Sequence, residues 1–274
     1  MKKILLLSII LCSFSFLQED FELNTILMKS TFRIASGDTT GTVFILGKLS
    51  QYDSSYAYYV LITAHHVLNN IKSDEATLFL RSEENSIYTK LPKQIKIRDN
   101  GKPLWKKHPE VDVAAMYISI SKGVKIPLLP LSFLATDSLI SAYDLHPGDE
   151  LLCLGYPFGA EANIEGFPIL RSGKIASFPI LPTKKVKYIL YDFNVFGGNS
   201  GGPVYFIGLN RSIKGKIRMG KEVRMIIGLV SEQMIFTETI ASSSELTLKN
   251  YQLGLAKVIP ATFIIETIEL LPKK

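Results

Sequence analysis

Residues 196–206 read FGGNSGGPVYF, four glycines set around Asn199 and Ser200 with a β-forming Val-Tyr-Phe run just after them. Glycine-dense turns let the backbone take positive φ and let a ligand approach the main chain, which a nucleophile and an oxyanion site both require. A plain Gly-rich hairpin loop uses the same letters, so the stretch acquires meaning only through a partner elsewhere in the chain. Gly198, Ser200 and Gly202 also satisfy GxSxG, the nucleophile elbow of α/β-hydrolases, in which the histidine follows the serine. All four histidines, at 65, 66, 108 and 146, precede Ser200, so that order is excluded. A papain-like site fails the same test, since no histidine follows Cys153. There is no HExxH, and two adjacent histidines make a poor ligand pair, so no metal is expected.

The histidines of interest lie in VLITAHHVLNN, residues 60–70, where an apolar run ends in Thr63-Ala64 before His65 and His66. Adjacent side chains point to opposite faces of a strand and sit about 100° apart on a helix, so the two imidazoles cannot share one task. The order that survives is His, Asp, Ser. It needs an aspartate at a strand edge, able to accept a hydrogen bond from the imidazole and fix its tautomer. Asp112, in EVDVAAMYI, opens a strongly apolar strand. Asp74 and Asp99 sit in polar loops, and Asp137, Asp144 and Asp149 lie in a connector, where turn and cap roles suit them.

Short apolar or alternating segments recur between turn residues: ILMKSTFRIA, GTVFIL, YAYYVLIT, ATLFLR, DVAAMYISI, DELLCLGY, KYILYDF, GPVYFI and VRMIIGLVS. That spacing predicts an all-β antiparallel barrel or sandwich. A Pro-punctuated connector at 126–150 divides two sets of strands, one over 24–125 and one over 151–258. Residues 259–271 open with a proline at a helix-start position and space Ile264, Ile268 and Leu271 helically, predicting a terminal amphipathic helix.

The chain has 274 residues, 47% hydrophobic and 20% charged, enough for a proper core. Lys2 and Lys3 precede about a dozen apolar residues and then Ser13-Phe14-Ser15, which reads as a cleavable signal peptide over residues 1–15. A lipoprotein is the alternative, through Cys12, although Leu11 stands where a small residue is usual. The run is short for a membrane span, which needs roughly 20 residues, and no other segment is long and apolar enough, so no stable span is expected after signal removal. Removing residues 1–15 leaves Cys153 alone, without a disulfide partner, which favours a bacterial envelope protein over the cysteine-rich secreted style. The expected location is the bacterial periplasm, the cell envelope or the outside of the cell. The formal charge of +6 falls by those two lysines to +4. Basic residues are scattered except in RSIKGKIRMGKEVR, 211–224, which reads as a solvated hairpin tip with an anionic-surface contact as the alternative; no nucleic-acid partner is expected.

Taken in order, ITAHHVL, DVAAMYI, PGDELLCLGYPFG, SGKIAS, GGNSGGPV and GLAKVIP resemble the protease domain of trypsin-like serine endopeptidases, most closely the bacterial HtrA-like branch, over roughly residues 24–271. The resemblance implies two six-stranded antiparallel β-barrels with the active site in the cleft between them, no cofactor, and peptide-bond hydrolysis through an acyl-enzyme on polypeptide substrates, unfolded proteins among them. Oligomeric state is left open. The family pattern Thr-Ala-small-His puts His66 on the base position and His65 where alanine, glycine or a polar residue is usual. It implies Ser200 as nucleophile, Asp112 as orienting carboxylate, and the N–H groups of Gly198 and Ser200 as oxyanion hole, each donor of that kind contributing on the order of 10²-fold or more in rate. Val43 stands where glycine is common and Gly197 where proline is. HtrA-like proteins usually carry a PDZ domain after the protease domain, and the roughly 70 residues after Ser200 are expected to leave no room for one.

The same resemblance implies substrate contacts from Asn194, at the floor of the specificity pocket, and from Ser231, Glu232 and Gln233 along the strand that pairs with substrate. Asn194 carries no charge, so a pocket for Lys or Arg is not expected, because a desolvated cation needs a carboxylate at its base. Val230 replaces the histidine associated with glutamate selectivity. Gln233 stands where a glycine often keeps the pocket open. The expected preference is for small or medium aliphatic residues. A protease-fold peptide-binding module without turnover is the competing reading.

Overall fold

The structure, a computed structural model, describes residues 22–53, 56–120, 123–209, 212–213, 216–217, 222–241 and 246–274. The expected signal peptide with Cys12, and half of the basic stretch at 211–224, lie outside the described residues. Helix α1, Leu23–Ser30, comes first, its start capped by the Glu22 carboxylate, which accepts the Thr25 N–H at 3.0 Å. ILMKSTFRIA was therefore expected as a strand but is helical up to Ser30. The reason lies partly upstream: Leu23 and Leu27, four residues apart, both pack into the core with 0% exposure, and the cap fixes where the helix begins.

The amino-terminal half contains β1 Thr31–Ser36, β2 Thr39–Leu49, β3 Ala57–Thr63, helix α2 His65–Asn70, β4 Glu75–Glu84, β5 Ile87–Lys96, β6 Lys106–Lys107 and β7 Ala114–Ile118. These strands form a seven-stranded antiparallel sheet in the order β5-β4-β1-β2-β3-β7-β6. It is not a closed six-stranded barrel, which corrects half of the expected architecture. The physical cause is visible in β5: most of its residues are exposed, and it carries Lys90, Pro92, Lys93 and Lys96, the composition of an edge strand rather than of a strand paired on both sides.

The carboxyl-terminal half follows with helix α3 Asp137–Ala142, β8 Glu150–Gly155, β9 Ile169–Ile175, helix α4 Thr183–Val186, β10 Ile189–Asp192, β11 Pro203–Gly208, β12 Val223–Ala241, β13 Leu246–Pro260 and helix α5 Ala261–Glu269. Six of these strands close a barrel in the order β8-β9-β10-β13-β12-β11. Helix α5 sits where the sequence placed a terminal helix, with Ile264, Ile268 and Leu271 at 0–4% exposure. Between the halves, Pro130 bridges to Gly47 and Leu134 to Ile226, so the connector is bonded to both sheets. Among the described residues no helix is long and apolar enough to cross a membrane.

One buried cation joins the two halves. Arg81, 4% exposed, donates to the carbonyl oxygens of Met28, Thr31 and Gly166 at 2.9, 2.8 and 2.7 Å, and to the Tyr156 hydroxyl at 3.2 Å. Its guanidinium plane also covers the rings of Phe32 and Phe167, 4.4 and 4.3 Å from their centroids. Losing it removes a donor from the Met28 carbonyl and leaves the Thr31 and Gly166 carbonyls to share the Tyr156 hydroxyl, a cost of roughly 1–3 kcal/mol for each group left unsatisfied. Arg81→Ala is expected to lower the thermal unfolding midpoint by on the order of 5–10 °C, read by circular dichroism.

Candidate active site

The apolar run Val60-Leu61-Ile62, fully buried in β3, carries the chain to Thr63, and Ala64 starts the short helix α2. This turn delivers the two histidines to different places. The His65 ring lies 6.5 Å from that of Trp105. Burial, opposed by the Asp112 carboxylate and assisted by Lys107 and His66, holds His65 below the ordinary histidine pKa. The His66 ring faces the other way, with Nδ1 2.6 Å from Asp112 Oδ2, and the His66 backbone N–H donates to Asp112 Oδ1 at 2.9 Å. One carboxylate thus fixes both the position and the ring orientation of a single histidine.

Asp112 stands two residues before β7, at the end of a loop secured by His108. That histidine, 5% exposed, accepts the N–H groups of Glu110 and Val111 on Nδ1 and faces Glu266 of α5 with Nε2 at 3.2 Å. Asp112 also accepts the Ser231 hydroxyl at 2.7 Å, from the opposite half of the molecule. Burial works to raise its carboxyl, but the bonds from the His66 ring, Ser231 and the His66 backbone outweigh it, so its pKa lies below the ordinary aspartate value.

The Ser200 hydroxyl is not on the imidazole. It donates to the Ser231 carbonyl oxygen at 2.9 Å, so Ser231 touches the carboxylate with its side chain and the serine with its main chain. Ser231 sits at a bulge in the β12–β13 ladder, between Val230 and Glu232, which frees its main chain from pairing.

The glycine-rich turn is clamped by the backbone around it. Gly198 has φ +95°, and a Cβ there would lie 2.2 Å from the Tyr156 carbonyl; Gly201 has φ +88°, and its Cβ would lie 2.1 Å from Thr42 O and from Thr63 Oγ1. The Gly197 carbonyl accepts the Phe158 N–H at 2.6 Å, the Gly198 carbonyl accepts the Thr42 hydroxyl at 2.7 Å, and the Thr42 N–H donates to the Ser200 carbonyl at 2.9 Å. Among the described residues, no protein acceptor is bonded to the N–H of Gly198 or of Ser200.

A cleft of about 630 Å³ is lined by His66, Asp112, Ser200, Ser231, Glu232 and Gln233 among the expected residues, and also by Asn70, Val195, Phe196 and Gly197. Asn194 is not in its lining: the side chain is exposed and the main-chain carbonyl accepts from Arg171. Val195 and Phe196 supply the apolar wall instead. The Glu232 carboxylate pairs with Lys257 at 2.5 Å. Sequence reasoning placed Ser231 on the substrate strand but did not foresee its hydroxyl on Asp112, nor Thr42 as the clamp of the glycine turn. No local pattern marks either, because each partner is more than a hundred residues away in the chain. Cys153 is buried, and burial, partly countered by Arg171, pushes its thiol up to about 12, so it is inert.

Among solved structures, the fold is similar to the Rv3671c protease of M. tuberculosis in its inactive form, at 17% identity and a TM-score of 0.45, covering 92% of this chain and 93% of that one. A second Rv3671c structure, an inactive-form mutant, gives 17% identity and a TM-score of 0.47 over 91% and 90% of the two chains. A thermostable serine protease, AL20, from an extremophilic microorganism gives 11% identity and a TM-score of 0.47 over 89% and 95%. No curated protein matches the chain. Residues 40–206, more than half of the chain, match the family described as the trypsin-like peptidase domain. The chain belongs to the trypsin-like peptidase domain family.

Proposed function

We propose that the chain is an exported serine endopeptidase of the HtrA-like branch, hydrolysing polypeptides through His66, Asp112 and Ser200. One observation above all supports this reading: the Asp112 carboxylate orients the His66 ring in the same cleft that holds the Ser200 hydroxyl. In the mechanism, His66 Nδ1–H donates to Asp112, which leaves Nε2 free to take the Ser200 proton and return it to the leaving amine. The N–H groups of Gly198 and Ser200, to which no protein acceptor is bonded among the described residues, receive the developing oxyanion.

The Ser231 carbonyl gives the cycle its starting point. It holds the Ser200 hydroxyl at 2.9 Å in the resting arrangement. An extended substrate pairing with residues 231–233 presents its own amide N–H to that oxygen, and the serine side chain then turns about one bond toward His66. Such a rotamer change is fast compared with turnover. Val195, Phe196 and Gln233 around an uncharged wall fit small or medium aliphatic residues.

The bond from Ser200 to Ser231 also favours a second reading, a peptide-binding module without turnover. Hydrolysis of denatured casein separates the two. Wild-type protein is expected to cleave it, with mapped cuts falling mainly after Val, Ala, Ile or Thr, whereas Ser200→Ala and His66→Ala lose nearly all activity and His65→Ala keeps most of it. Asp112→Asn is expected to keep the fold and cost roughly 10⁴ in kcat. Binding without cleavage by wild-type protein supports the module; cuts mainly after Arg, Lys, Glu or Phe reject the assigned preference.

Asp112 also makes stability depend on pH. Its folded pKa is depressed, so its contribution is complete above the ordinary value of 3.8 and is lost as pH falls through the lower folded value. Urea unfolding of wild type and Asp112→Asn is expected to show a stability difference that shrinks as pH drops below about 4.

A further inference from the structure

Strand β12 runs far past the cleft. Strand β11 pairs with it only from Val223 to Leu229, while β13 accompanies it on the other side out to the pair Ala241 and Leu246. Val230 is still bonded on that side, its N–H donating to the Gly202 carbonyl and its carbonyl accepting the Gly201 N–H, and among the described residues no strand neighbours that edge of β12 from Ser231 outward. That open edge begins at Ser231, the residue whose carbonyl holds the Ser200 hydroxyl. It continues to Glu238 across a second irregularity, where the pairing steps from Gln233 with Ala256 to Ile235 with Gln252, and at about 3.4 Å per residue the seven steps span at most roughly 24 Å.

The arm formed by β12 and β13 is tied together along its length. The Thr237 hydroxyl bonds Asn250 Oδ1 at 2.7 Å, and the Tyr251 hydroxyl donates to Glu238 at 3.0 Å. Its apolar side chains are exposed: Ile235 48%, Phe236 55%, Tyr251 44% and Leu253 50%. Phe236 and Tyr251 are cross-strand partners on one face, their rings 6.4 Å apart, and Leu253 lies two residues on from Tyr251. Soluble proteins normally blunt a long exposed edge with charge or a covering element, so an apolar one leading out of a cleft calls for an occupant.

We infer that this edge extends the substrate site, pairing as a β-strand with a long extended segment on the amino-terminal side of the scissile bond and favouring apolar residues against Phe236, Tyr251 and Leu253. The inference rests on the proposed endopeptidase reading of the cleft. Its occupant is the substrate chain itself, because the edge is continuous with residues 231–233, where that chain enters. Direction follows from the sheet. Both neighbours of β12 are antiparallel to it, and a strand added the same way, with its scissile residue at Ser231, places its preceding residues opposite Gln233 to Glu238. Main-chain hydrogen bonds supply affinity for any sequence, and the apolar face supplies preference, which suits unfolded polypeptides better than folded loops.

The test uses peptides carrying three, five or eight residues before the scissile bond, apolar at the distal end. Binding to the full-length Ser200→Ala protein is read by fluorescence anisotropy, and kcat/KM is measured with the wild type. Affinity is expected to rise about tenfold or more from the three-residue to the eight-residue peptide. The combined change Phe236→Ser and Tyr251→Ser is expected to bind all three lengths within about twofold of one another. With the unaltered arm, replacing distal amides of the eight-residue peptide by esters, which removes their N–H donors, is expected to cost most of the length gain. Length-independent binding, or a gain that survives both changes, overturns the inference. A length gain without cleavage leaves the arm as a peptide site and removes the endopeptidase reading; cleavage without a length gain does the reverse.

Discussion

The Asp112 carboxylate is the point through which the site is assembled. It accepts the His66 backbone N–H, the His66 ring and the Ser231 hydroxyl at 2.9, 2.6 and 2.7 Å. Two of those donors come from the amino-terminal sheet's helix α2 and the third from the closed barrel, so one acid group sets the register between the halves at the place where chemistry is proposed. Burial alone would favour protonation, and the bonds and charge of His66 together with the Ser231 hydroxyl outweigh it, so the charged form is preferred. Remove one donor and the remaining bonds must carry a partly buried anion.

The second constraint is the backbone of the glycine turn. Positive φ at Gly198 and Gly201, with neighbouring oxygens where a Cβ would sit, admits only glycine at these positions. Thr42 closes the turn from the amino-terminal sheet by its hydroxyl and its N–H, and Arg81 joins the same two regions through the carbonyls of Thr31 and Gly166. Ser200 is thereby placed by long-range main-chain bonds, while its own side chain keeps a single bond to Ser231. A fixed backbone with one rotatable hydroxyl is what a nucleophile requires.

Much of this was legible in the residues. The alternation of the strands and the helical spacing near Ile264 are local patterns, and each points to a feature the structure contains; the order of histidine, aspartate and serine singles out three residues that line one cleft, with the Ser200 hydroxyl on Ser231 and not on the imidazole. Features set by distant partners were not legible. Open against closed sheet turns on whether β5 finds a second neighbour, and its lysines and Pro92 tell against one only once the strand is recognised as an edge. ILMKSTFRIA contains only part of α1, and the Leu23–Leu27 face and its Glu22 cap complete the pattern upstream. The run SEQMIFTETI after Val230 alternates too weakly to announce a strand, because much of it is exposed and no buried face imposes the period. The resemblance places Asn194 by its position six residues before Ser200, which fixes its place in the chain but not which way the loop turns.

The most direct test of the account is covalent labelling of the intact protein with a fluorophosphonate, followed by mass spectrometry of the modified peptide. An activated serine reacts and an ordinary surface serine does not, so the account predicts a single adduct on Ser200 that disappears in His66→Ala. An unlabelled protein, or an adduct on Ser200 that persists without His66, would contradict it.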